Sequence, residues 1–408
     1  MDQTVQGKTR QECCGCGACA AVCPKKAITM KEDQYGCVYP SIDVGLCVNC
    51  GACLRVCAYG NLEQSRRPLQ AWAAVGKEAS LVERSASGGV FATVAKSLME
   101  AGGTVCGVIL SKEDGALRAE HILSGEMEDL PRLQGSKYVH SQAWRCYAEL
   151  RNALASGKPV LFSGTPCQVA AVKRLTGDPD NLITMDLVCH GVPPLRMLNE
   201  FEEILGKRLG GHVENIVFRD KTCGKNFCAR VDVTRNRRKR SYYLSAHQLS
   251  FYRHFLDGSI YRENCYFCPY ANLARISDLT IGDYWGIEER YRKEITEGMM
   301  PNRKDWSCIL VNTEKGASFL RTYGKMLSLF TSCPEWIAEG NEQLKTPSRK
   351  SVNRDHVLKE YVTGGYKRLE RVYVAESGGR LRFCWRMFKN IRRNKKLHDV
   401  NKGIAYED

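Results

Sequence analysis

The chain has 408 residues, 43% of them hydrophobic and 26% charged, which suits two or three globular domains and excludes a disordered chain. No apolar run approaches the roughly 20 residues that span a bilayer, and the start, "MDQTVQGKTRQE", is polar where a secretory leader would be apolar. Twenty-one cysteines in such a chain point to a reduced, cytoplasmic protein with metal-held thiolates, and the net charge of +15 raises acidic partners.

In the first 60 residues Cys13, Cys16, Cys19 and Cys23 recur 34 positions later as Cys47, Cys50, Cys53 and Cys57. Between the two sets, "AITM" and "GCVYPSI" predict short strands joined by a turn. The arrangement resembles a two-cluster bacterial ferredoxin, in which C-x2-C-x2-C-x3-C-P lets three thiolates hold one 4Fe-4S cluster while the fourth serves the other. The expected groups are Cys13, Cys16, Cys19 with Cys57, and Cys47, Cys50, Cys53 with Cys23. Gly15, Gly17 and Gly51 suit backbone that bends tightly around sulfur. Pro24 follows Cys23 as the pattern expects, whereas Ala58 follows Cys57. Zinc also uses C-x2-C pairs, but one ion needs only four ligands and gives no reason for two matched sets. Cys14 and Cys37 fall outside the pattern and are expected to be bystanders. "EQSRRP" reads as a polar linker, which closes a head of residues 1–66.

Strands and helices then alternate, predicting a mixed α/β body. "AWAAV" is a strand, "GGVFATVAKSLMEAG" a helix, and "TVCGVIL" and "LRAEHIL" strands of a hairpin near "SKEDG". "QAWRCYAELRNALASG" is a helix, ending an N-terminal α/β part at residues 67–155. A second part, 156–330, opens with the apolar strand "PVLFSG" running into "TPCQVAAVKRLTG". There Thr165 takes the N-cap, Pro166 the first turn and Gln168 the third position, as in a capping box. "LITMDLVC" is a buried strand and "PPLRMLNEFEEILGKRL" a helix, while 213–245 read as strands around the basic turn "RNRRKR". That turn is either a solvated hairpin tip or a docking point for an anion.

Four more cysteines stand in telling places. Cys167 opens a capped helix, Cys189 ends an apolar strand, and Cys265 and Cys268 form a C-x2-C pair. The first two fall at the carboxyl ends of strands, where open α/β sheets place their sites. "SASGG", "QGSKYV", "GTPCQVAAVKRL", "DLVCHGVP" and "CYFCPYANLARISDLTIGDYWG", with the ferredoxin repeat before them, together resemble one family. It is the β subunit of coenzyme F-420 hydrogenases and dehydrogenases, in the bacterial form with a fused two-cluster head. The resemblance covers roughly residues 10–325. It implies an iron–sulfur flavoprotein oxidoreductase that relays electrons between clusters and FAD, with hydride exchange to F-420 or another organic acceptor. An electron-transfer adapter, linking ferredoxin to a separate partner enzyme without a substrate of its own, is the alternative.

By that resemblance Cys167, Cys189, Cys265 and Cys268 are candidate ligands of a third 4Fe-4S cluster. His190 either protonates a flavin, tunes that cluster or makes an ordinary hydrogen bond. Ser87, Gly88 and Gly89 would contribute to the FAD site. Ser-Gly-Gly at a helix start also suits a pyrophosphate in its own right, although it is often a plain cap. Lys137 would face phosphate or reduced flavin, or else sit in solvent, and Asn272, Arg275 and Asp283 are assigned to the cofactor pocket. The expected partners are ferredoxin or a redox subunit and a small organic acceptor, with no nucleic acid. No G-x-G-x-x-G is present, so a nicotinamide site has no support.

Residues 331–408 form a basic helical tail. Its stretch 380–396, "RLRFCWRMFKNIRRNKK", carries eight Arg or Lys and no acid, about half of the net excess. Leu381, Cys384, Trp385, Phe388 and Ile391 are predicted to share one helical face. Such a face lies on an anionic inner-membrane surface, docks an acidic partner, or packs on the protein's own body.

Overall fold

The computed structural model describes residues 4–60, 65–221, 227–303 and 305–401. In the head, each cysteine-rich stretch turns through a left-handed glycine into a one-turn helix. Gly17 (φ 73°) precedes Ala18–Ala21, and Gly51 (φ 70°) precedes Ala52–Arg55. A side chain at that φ is strained, so glycine allows closely spaced cysteines to converge. The expected hairpin forms between β1 (Ile28–Glu32) and β2 (Val38–Ile42), which pair antiparallel.

In the body, β3 (Gln70–Gly76), β4 (Thr104–Glu113), β5 (Ala116–Ser124), β6 (Val160–Gly164) and β7 (Leu182–Leu187) come first along the chain. A separate antiparallel sheet of β8 (His212–Val217), β9 (Cys228–Arg235) and β10 (Arg238–Ser245) follows. Then β11 (Leu279–Asp283), β12 (Ser307–Val311) and β13 (Leu327–Ser332) return to the main sheet, whose order is β13-β3-β12-β11-β7-β6-β4-β5. Strands β4, β6, β7 and β11 run parallel, and antiparallel strands flank them. β6 is buried throughout, as expected for a parallel strand covered on both faces. The stretches 67–155 and 156–330 interleave in this one sheet, since β3 lies between β12 and β13.

The helix Pro166–Thr176 starts directly from β6. Its cap forms through the glutamine: Thr165 donates its N–H to Gln168 Oε1 at 3.1 Å. The hairpin tip between β9 and β10 places Asn236 and Arg237 at φ 48° and 61°, the left-handed pair of a tight two-residue turn. Residues 235–240 are all exposed there, so "RNRRKR" is a solvated tip.

The last helix, Arg380–Asn401, divides its apolar residues differently from the expected single face. Phe383 and Met387 are buried against the body, and Ile391 packs with them. Leu381, Trp385 and Phe388 point outward, 90%, 63% and 55% exposed. Phe383, Met387 and Ile391 follow at intervals of four, a stripe the expected face crossed rather than followed.

The head is fastened to the body chiefly through its own backbone. Arg262 Nη2 donates to Cys13 O (3.2 Å), Tyr147 Oη to Cys16 O (2.9 Å) and Tyr270 Oη to Ala58 O. The His140 ring nitrogen lies 3.1 Å from Cys14 O. The approach is close: a Cβ on Gly17 would stand 2.5 Å from Trp144 Cβ.

Candidate iron–sulfur and flavin site

The head gathers its cysteines as the crossed pairing requires. Cys13, Cys16, Cys19 and Cys57 lie within electrostatic reach of one another. Burial pushes the Cys13 thiol up to about 11, opposed first by the Arg262 guanidinium. Cys23, Cys47, Cys50 and Cys53 border one small cavity, with Ile28 and Ile42 as apolar walls. The Ala27 N–H donates to Cys23 Sγ at 3.2 Å. Among the described residues no three His, Cys, Asp or Glu side chains are gathered as one metal ion would need. Two quartets of cysteine thiols are a donor set that suits two four-iron clusters, which are held by cysteine thiolates.

The body brings its own four cysteines to one place. Cys167 follows β6, Cys189 follows β7, and Cys265 and Cys268 come from the loop before β11. Cys189 and Cys268 both feel the Cys167 charge, and Cys265 feels the other three. Burial raises Cys189 and Cys268 to about 12. Cys14 stands at the junction rather than apart. Its thiol lies beside those of Cys16 and Cys167, and its proximity is the first cause that lowers the Cys167 thiol. The third quartet thus abuts the head quartet that contains Cys16. Thr165 Oγ1 adds a further contact to Cys167 Sγ at 3.3 Å.

Arg275 organises this loop from within. It is buried with Asp186 at 3.0 Å, and its guanidinium also donates to Tyr270 O (2.8 Å), Asn272 O (3.2 Å) and Leu187 O (3.3 Å). One cation therefore ties the C-x2-C loop to the end of β7. Asn272 closes the same loop by donating to Pro269 O at 2.7 Å.

His190, next in sequence to Cys189, lies within electrostatic reach of Asp283. His190 is exposed yet ringed by protein, and desolvation holds its imidazole below the usual range while Asp283 opposes that shift. Asp283 pairs with Arg219 at 2.8 Å, and the guanidinium lies 5.2 Å from the Phe227 ring centroid and 5.5 Å from that of Trp285. Arg219 also donates to Ala86 O (3.3 Å), which brings the Ser85–Gly89 turn beside this pair. Sequence reasoning missed Arg219, which lies outside every quoted motif.

The Ser-Gly-Gly turn is less free than its sequence suggests. Gly88 donates its N–H to Ser307 Oγ at 2.9 Å, and Ser87 Oγ donates to Trp306 O at 2.8 Å. Those donors hold the turn on β12, and a Cβ on Gly88 would meet Ala74 O at 2.5 Å. Lys137 is also engaged: Nζ donates to Arg132, Leu133 and Gln134 carbonyls at 2.9, 3.0 and 2.6 Å, while burial lowers it to about 7. Of the residues expected at a flavin, His190 and Asp283 are brought together with Arg219, whereas Ser87, Gly88, Lys137, Asn272 and Arg275 are engaged in hydrogen bonds within the protein.

Residues 12–61 match the 4Fe-4S dicluster domain. Residues 71–145 match the N-terminal part, and 157–331 the C terminus, of the coenzyme F420 hydrogenase/dehydrogenase beta subunit. One of the subunits of the F(420)H(2) dehydrogenase of Methanosarcina mazei is 25% identical over 170 residues, 40% of this chain and 48% of that one. The chain thus spans about half the length of that curated relative. A chain of the F420-reducing NiFe hydrogenase complex from Methanosarcina barkeri superposes with a TM-score of 0.45 and 14% identity, covering 74% of this chain and 96% of that one. The two beta-subunit matches together take in more than half of the residues, so the chain belongs to the family of coenzyme F420 hydrogenase/dehydrogenase beta subunits and carries an N-terminal 4Fe-4S dicluster domain.

Proposed function

We propose that this protein is an iron–sulfur flavoprotein that relays single electrons from the head clusters, through a third 4Fe-4S cluster, to FAD. The observation that carries the reading is the convergence of Cys167, Cys189, Cys265 and Cys268 beside Cys14 and Cys16 at the carboxyl ends of β6 and β7. A bound flavin supplies the conversion of single electrons to a hydride for coenzyme F420 or another organic acceptor. The chain's own residues hold and insulate the relay. Arg275 and Asn272 fix the C-x2-C loop, Cys14 and Thr165 lie against the Cys167 sulfur, and Arg219 pairs with Asp283.

The exposed Cys50 of the outer quartet, among exposed Val44, Leu46 and Val48, supports an external one-electron partner, a ferredoxin or redox subunit. That same exposure favours the adapter reading. Anaerobic purification with iron, sulfide and flavin counted per chain tests the proposal. About twelve irons and one FAD are expected; about eight irons would remove the third cluster. Reduced coenzyme F420, offered alone, should bleach the flavin of an enzyme. Bleaching only in the presence of a second protein would establish the adapter instead.

A further inference from the structure

Arg262 poses a problem of charge. It is 1% exposed, and its guanidinium cannot be deprotonated. A cation so buried is costly unless an anion faces it. Among the described residues no carboxylate pairs with it. Burial opposes its charge most strongly, and the groups that favour it are Cys37, Tyr39, Cys13 and Cys265. Nη2 donates to Cys13 O at 3.2 Å and Val38 O at 3.0 Å, and Nε donates to Asn264 Oδ1 at 3.3 Å. Nη1 is buried with no hydrogen-bond partner among the described residues.

Its location gives that charge a direction. Arg262 belongs to the body's cysteine loop: its N–H donates to Val192 O, and its carbonyl accepts from the Cys265 N–H. The side chain leaves that loop and enters the head, where the guanidinium carbon lies 4.6 Å from the Tyr39 ring centroid. A Cβ on Gly15 would stand 2.8 Å from Nη2, so the first cysteine loop is shaped to admit it. One cation thus stands between a ligand of the inner head quartet and a ligand of the third. The outer quartet borders its own cavity, and Arg262 does not line it.

We propose that Arg262 is a positioning residue of the relay: its guanidinium is the counter-charge of the cluster held by Cys13, Cys16, Cys19 and Cys57, and it holds that cluster at a higher reduction potential than the outer one. The inference rests on the two-cluster head. Accepting one electron adds one negative charge to a cluster, and a fixed positive charge nearby in low dielectric favours that state. An electron given to the outer cluster by a one-electron donor then moves inward, the outer cluster being oxidised as the inner one is reduced, with no proton transferred.

The test is a potentiometric titration with dithionite, followed by electron paramagnetic resonance, on the full chain purified anaerobically. In the unsubstituted protein the inner cluster should titrate above the outer. The reverse order overturns the proposal without any variant. Arg262→Gln should lower the inner midpoint and leave the outer one in place, whereas Arg262→Lys, which keeps the charge, should restore most of the difference. Equal midpoints in Arg262→Gln and the parent overturn it. Arg196 also anchors the head, donating to Asp33 O at 3.1 Å, but is not among the groups that act on the inner quartet's cysteines. Arg196→Ala should leave both midpoints unchanged, and an inner shift as large as that of Arg262→Gln would assign the effect to loosened docking and overturn the proposal. Iron and sulfide counts separate the two failures: too little iron for two head clusters removes the cluster reading itself, while full loading with unmoved midpoints removes only the role of Arg262.

Discussion

The head's two quartets are spelled in nearly the same letters and finish in different surroundings. In the inner one Cys16 and Cys19 are buried, and the backbone around it accepts bonds from Arg262, Tyr147 and Tyr270 of the body. In the outer one Cys50 is exposed, and the adjoining loop shows Val44, Leu46 and Val48 to solvent. A duplicated ligand pattern is therefore not a duplicated site. The repeat determines which sulfurs meet, and docking determines which set the body covers and which it leaves facing outward.

The sharpest way to break this comparison is at its inner end. Cys265→Ser should lose about four irons while both head clusters persist, read by iron analysis and electron paramagnetic resonance. Loss of head iron as well would mean that the third quartet is needed to assemble the others. Next comes the contact itself. Gly17→Ala adds a Cβ 2.5 Å from Trp144 Cβ at φ +73°, and should cost about 3 kcal/mol in thermal unfolding. Gly45→Ala, on the outer loop with its nearest neighbour Asp43 Oδ1 at 3.3 Å, should stay within about 0.5–1 kcal/mol of the parent.

Acid should separate the head from the body. The head has no histidine within residues 1–66, whereas burial holds His121 and His254 of the body down to about 4. An unfolded histidine takes up its proton near pH 6.5, so between about 6.5 and 4 the unfolded body binds more protons and stability falls as the pH falls. For His121, stacked on Phe162 and 2% exposed, the loss by pH 4.5 should be roughly 2–3 kcal/mol. Denaturant unfolding of His121→Phe against pH should show that part of the slope removed; an unchanged slope would place the acid sensitivity elsewhere.

The smallest effect is expected at the tail. We propose that its outward stripe, Leu381, Trp385 and Phe388, meets an anionic lipid surface, because Arg380, Arg382, Arg386 and Lys389 accompany it on an anchored helix. Co-sedimentation with vesicles containing phosphatidylserine should fall several-fold in Trp385→Ser and be weak with neutral vesicles. Equal binding to both would refute the lipid assignment.

Much of the head and the sheet was legible because their signals are local. Cysteine spacing, the Thr165–Gln168 cap and the apolar strands each lie within a dozen residues. The docking was not legible. Arg262, Tyr147 and His140 reach backbone carbonyls 126 to 249 positions away, and a carbonyl carries no residue identity for a sequence to display. Cys14 was unreadable for the same reason, since its partner Cys167 is supplied by the body. The tail failed differently: closely spaced apolar residues fit two helical stripes, and only packing against the body selects between them.

The placement of β3 has a consequence for how the molecule comes to be built. That strand leaves the head at Gln70, yet both of its neighbours, β12 and β13, are synthesised more than 230 residues later. The head is complete in sequence and free to acquire iron while β3 still waits as an open edge, and the sheet cannot seal until Ser332 has emerged. The body residues that hold the head, Tyr147, Arg262 and Tyr270, all precede β12 in the chain, so the head meets its anchors before the sheet that carries them is sealed.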